Sequence, residues 1–66
     1  MTVFINHSQT ELDAHATVAD ALTQVGMAGD GIAVALDNKV VPRDKWNTTH
    51  LYENAKLTVI SAVCGG

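Results

Sequence analysis

Residues 17–26 read TVADALTQVG, and this stretch decides what kind of fold the chain can adopt. Val18, Ala21, Leu22 and Val25 recur at i, i+3, i+4 and i+7, which lines one side of an α-helix with apolar groups. Thr17 stands where an N-cap belongs. Its hydroxyl can accept from the backbone three residues on, and Asp20, at that third helical position, can return the bond. Gly26 follows at the point where a left-handed residue closes a helix. A helix with one apolar stripe must cover something, so the rest of the chain has to supply an apolar surface.

Working outward, the flanking segments have period two. In MTVFIN, Met1, Val3 and Ile5 share one face and Thr2, Phe4 and Asn6 the other, which predicts a strand. HSQ is a polar, turn-like cluster, and TELDA reads as a shorter returning strand that completes a hairpin. After the helix, GMAGDG is a glycine-rich loop. IAVALD alternates again, with Ile32, Val34 and Leu36 on one face, and DNK makes a tight turn into a short strand at Val40-Val41. Pro42 ends ladder pairing at its own nitrogen and can open a helical turn over PRDKW, with Trp46 anchoring the connection that follows. NTTHLYENA is mostly polar, and Leu51 and Tyr52 are its expected anchors. In KLTVISAV, Leu57, Val59 and Ser61 oppose Thr58, Ile60 and Ala62, a last strand that runs into Cys64-Gly65-Gly66. The predicted order is strand, strand, helix, strand, short strand, helical turn, strand: an α+β domain with one main helix over one face of one sheet.

Composition narrows the function. A chain of 66 residues makes one domain, 1–66, and at this size only about 60% of the chain surface is buried, leaving little room for an internal active site. With 47% apolar and 17% charged residues it reads as globular. A single cysteine allows no internal disulfide and fits a cytoplasmic protein. The opening MTVFINHSQTELD has neither the basic start nor the apolar run of a secretory signal, and no stretch approaches the roughly 20 apolar residues of a membrane span. The formal charge of −3, with Lys39, Arg43, Lys45 and Lys56 as the only Lys and Arg, argues against a nucleic-acid partner, whose phosphates need clustered cations. No G-x-x-x-x-G-K-[ST] or G-x-G-x-x-G phosphate loop is present, so the chain is not expected to bind ATP itself.

The chain closes on SAVCGG, with two glycines directly after a strand pattern. With VALDNKVVPRDKW in mid-chain and the compact length, this ending resembles the family of thiamine-biosynthesis sulfur carriers, over essentially the whole chain. Two features depart from the family pattern. Asn54-Ala55 stands where a Gly-Asp turn is common, and Cys64 where small or apolar residues are usual. The resemblance implies a ubiquitin-like β-grasp fold with the two terminal strands side by side and a flexible diglycine tail over 64–66. It also implies a protein cosubstrate and not an enzyme. An E1-like adenylyltransferase would use ATP and Mg²⁺ to adenylate Gly66, and sulfur from a persulfide protein would convert it to a thiocarboxylate that a thiazole synthase consumes. The chemistry of the tail is consistent with that role: a free carboxylate is an anion at neutral pH and must be activated before anything attacks it. Gly65, lacking Cβ, gives clearance for threading into a partner, and Gly65-Gly66 adds about 7 Å of reach beyond Cys64. Three competing roles stay open: the small subunit of a molybdopterin synthase, a ubiquitin-like modifier joined to lysines, and an interaction module with an unselected tail.

Other residues carry weaker signals. Cys64 has no Lys, Arg or His beside it to stabilise a thiolate, so an inert thiol is expected. His7, His15, His50 and Cys64 match no zinc spacing, and no metal is expected. Arg43 and Trp46 read as packing and turn-forming residues. Phe4, Ile60 and Ala62 fall out of phase with the inward residues, and with the terminal strands adjacent they would form an exposed apolar patch beside the tail that docks partners.

Overall fold

The computed structural model describes residues 1–27 and 31–61. Its elements follow the expected order: β1 (Thr2–Ile5), β2 (Ser8–Glu11), α1 (Val18–Gln24), β3 (Ile32–Leu36), β4 (Lys39–Val41), a 3-10 turn (Arg43–Lys45) and β5 (Ala55–Ser61). They form one five-stranded sheet in the order β2-β1-β5-β3-β4. β1 and β5 run parallel with Phe4 opposite Lys56 and Ile5 opposite Leu57, and the other three pairings are antiparallel. The terminal strands are neighbours at the sheet centre, and one mixed sheet with one main helix is the β-grasp arrangement that the resemblance implies.

Period-two patterning sets which face of each strand meets the helix. Val3, Ile5, Val34, Leu57 and Val59 point inward and pack with Val18, Ala21 and Leu22 of α1, all of them buried. Fully burying a Val or Leu side chain contributes about 1.5–3 kcal/mol, so this layer dominates the stability of so small a domain. Trp46 is also buried, as the anchor expected for the connection. Its indole N–H donates to the Val41 carbonyl at 3.0 Å, and the Arg43 guanidinium lies 5.3 Å from the ring centroid.

A helix of seven residues is too short to persist by propensity, and its ends show what holds it. The capping box forms as the sequence predicts: the Asp20 N–H donates to Thr17 Oγ1 at 3.3 Å, and the Thr17 N–H donates to Asp20 Oδ2 at 3.0 Å. The two remaining first-turn donors are met from far along the chain, Val18 N–H by the Thr49 carbonyl and Ala19 N–H by the Trp46 carbonyl. At the other end Gly26 takes φ +71°, with Gly26 N–H bonded to Thr23 and Met27 N–H to Leu22, the Schellman closure that satisfies the last carbonyls.

Two expectations need correction. The first hairpin turns at Asn6-His7, both at positive φ, and not over HSQ; Ser8 already pairs with Ile5, so β2 is Ser8–Glu11. A two-residue turn with positive φ at both positions matches the twist of its strands, and that gain outweighs the cost of a left-handed histidine. Tyr52 is 48% exposed and does not anchor its segment, a role that falls to the buried Leu51. The turn at Asn54 survives as expected, with φ at 66°.

Candidate functional site

The strand that carries the chain toward its terminus is held by two hairpin turns, one on each side. β1 ends at Ile5, and its last backbone bond to β5 runs from Asn6 N–H to the Leu57 carbonyl at 2.9 Å. The Asn6 side chain then takes over as a substitute peptide unit. Its Oδ1 accepts from Val59 N–H at 2.8 Å, and its Nδ2 donates to the Val59 carbonyl at 3.2 Å. On the other side, Asp37 N–H donates to the Lys56 carbonyl at 2.8 Å while Asp37 Oδ1 accepts from Lys56 N–H at 3.2 Å. Asn6 and Asp37 were not singled out in the sequence as site residues. The available signal was their position, each a short amide or acid at the first residue of a two-residue turn, where left-handed geometry favours them.

The outer face of the sheet, away from α1, carries the docking candidates. Phe4 is half-buried there, in register with Lys56, and Ile60 is 58% exposed, in register with Ala33. Four residues of β5 separate their levels, about 13 Å at 3.3 Å per residue, so these two do not touch. The apolar neighbours of Ile60 lie toward the other edge: exposed Ala33 beside it, then Ala35 paired with Val40, which is 78% exposed. Val40 and Ala33 are therefore additions to the face: Ala33 follows from the alternation of β3, whereas a strand as short as Lys39–Val41 gives Val40 no alternation to phase. Ala62, Cys64, Gly65 and Gly66 lie outside the described residues.

Phe4 instead borders an open concavity of about 690 Å³ between the two turns, shared with Asn6, His7, Asp37, Asn38 and Lys56. It sits at the start of β5, the end opposite the one that leads on to Gly66. His7, His15 and His50 are exposed on three separate turns or loops, and among the described residues no three His, Cys, Asp or Glu side chains gather as metal ligands. No helix among them is long and apolar enough to cross a membrane.

The model of the ThiS family matches residues 3–66, nearly the full length and including the terminal diglycine. Among solved structures, the thiamine biosynthesis protein ThiS from Geobacter metallireducens superposes with a TM-score of 0.81 over 100% of both chains at 19% identity. At that identity the likeness speaks for the fold. No curated protein matches the chain.

Proposed function

The chain belongs to the ThiS family, small sulfur carriers of thiamine biosynthesis rather than catalysts, and from that premise we propose that Gly66 is the residue that carries the sulfur. The supporting observation is the reach of the family match to the last residue, together with a central strand that ends five residues before it. An E1-like adenylyltransferase, using ATP and Mg²⁺, joins the Gly66 carboxylate to AMP and releases pyrophosphate. The terminal sulfur of a persulfide protein attacks the acyl carbon, AMP leaves, and a thiol cleaves the S–S bond to leave the thiocarboxylate. A thiazole synthase takes that sulfur. Gly65 and Cys64 thread into each partner's cleft, and the Cys64 thiol plays no chemical part. Phe4, Ile60 and Ala62 contribute to docking, with Ile60 nearer the tail than Phe4.

Intact mass spectrometry tests the reading. Incubation with host extract, MgATP and a sulfur source is expected to replace one oxygen with one sulfur, in the wild type and in Cys64→Ser but not when Gly66 is deleted. An unchanged mass, with the same extract active on a known carrier, overturns it. Conjugates to lysine on a denaturing gel would mark a protein modifier instead.

A further inference from the structure

Among the described residues, the length mismatch between β1 and β5 leaves part of a sheet edge open at the end of β5. β1 has four residues and β5 seven, and the β1–β5 ladder stops at Leu57, extended to Val59 only by the Asn6 side chain. β3, on the other side, stays paired as far as Ser61, opposite Ile32. The bonding alternates along that antiparallel pair. Asp37 and Lys56 form a bonded pair, so Thr58 and Ile60 also turn their backbone groups toward β3, while Leu57, Val59 and Ser61 turn theirs toward β1. Asn6 occupies that side at Val59. One repeat further on, the Ser61 N–H and C=O face the space past the Asn6-His7 turn, where no strand of the described residues lies.

Resting on the carrier reading above, we infer that this half-edge is where the adenylating enzyme adds a strand of its own, pairing with the backbone of Ser61 in line with β1. Five residues follow Ser61, and fully extended they span at most about 18 Å. An enzyme acting on Gly66 therefore brings its surface within that distance of Ser61. Among the described residues the opening is closed at one end by the hairpin turn and on one side by β5, which leaves room for an extended segment to lie along β5 in line with β1. Main-chain pairing of this kind supplies affinity and aligns the approaching chain without demanding particular side chains. The Asn6 amide sets where the borrowed strand begins, because it takes both Val59 groups that a longer β1 would have used.

Ser61→Pro separates this contact from the fold. Ser61 N–H is not used by β3, a strand margin accepts proline's φ, and Ile60 before it is already extended, so the domain is expected to keep its melting temperature. The host's adenylating enzyme is first identified by ATP–pyrophosphate exchange that depends on this chain. With it, Ser61→Pro is expected to raise KM for the carrier roughly tenfold, the scale of one lost hydrogen bond, and Ser61→Ala to change it less than about twofold. Hydrogen exchange by NMR on the unaltered chain gives a second readout: Ser61 N–H exchanges freely alone and slows at least about tenfold in the enzyme complex. Equal KM values for the two variants, or a Ser61 amide that stays unprotected in the complex, overturn the inference alone. Protection in the isolated chain that disappears on dilution assigns the edge to a second copy and overturns it too. No exchange with the unaltered chain overturns the carrier reading itself, and this inference with it.

Discussion

The hairpin turns at Asn6-His7 and Asp37-Asn38 solve one problem with different chemistry. Each is a two-residue turn with positive φ at both positions, 51° and 72° in the first, 49° and 70° in the second. Each lends its first side chain to β5. An amide carries donor and acceptor, so Asn6 alone takes both backbone groups of Val59. A carboxylate only accepts, so Asp37 takes the Lys56 N–H and leaves the Lys56 carbonyl to its own backbone N–H. The first bond set is partly buried and extends a ladder past the end of its strand, whereas the second is exposed and closes one at its start. A hairpin turn can thus act as a clasp on a third strand, and the side chain needed depends on how much ladder is missing.

The largest perturbation removes what both clasps hold. Leu57 lies between them and is fully buried, so Leu57→Ala is expected to cost about 2–5 kcal/mol in denaturant unfolding. A domain of this length has about 3–10 kcal/mol in total, so the loss removes a large share of the stability and unfolds the chain outright only where the total lies at the low end. Next comes a reciprocal exchange. Asn6→Asp keeps the left-handed turn but sets a carboxylate oxygen against the Val59 carbonyl, and is expected to cost about 1–3 kcal/mol. Asp37→Asn keeps the oxygen that accepts from Lys56 N–H and is expected to stay within about 0.5 kcal/mol. Equal losses for the two would show that the clasps are equivalent after all. The smallest effect is a gain: His7→Gly relieves a left-handed histidine and should stabilise by about 0.5–1 kcal/mol, seen as a higher midpoint at unchanged m.

The two turns also differ in how legible they are. Asp37-Asn38 stands out because two polar turn-formers interrupt an apolar alternation on both sides. Asn6 hides in phase with the strand before it, and the residues after it are polar whether they turn or pair, so nothing local marks where β1 ends. The docking face divides in the same way. Ile60 follows from the phase of β5, while its distance from Phe4 depends on the register of β1 against β5, which alternation within either strand leaves free. Tyr52 fails as an anchor for a related reason: in a segment without period, size alone does not say which side chain turns inward.

The amino-acid sequence alone determined the element types, the inward faces of the long strands, the helix cap and the glycine that ends the helix, because each is an interaction between residues a few positions apart. Tertiary structure decided the rest. Asn6 meets Val59 across 53 positions, and the first turn of α1 is completed by carbonyls from Trp46 and Thr49. Backbone donors and acceptors are alike at every residue, so a chain carries no local mark of which distant one each will meet. That choice is made when the core closes and brings them within hydrogen-bond distance.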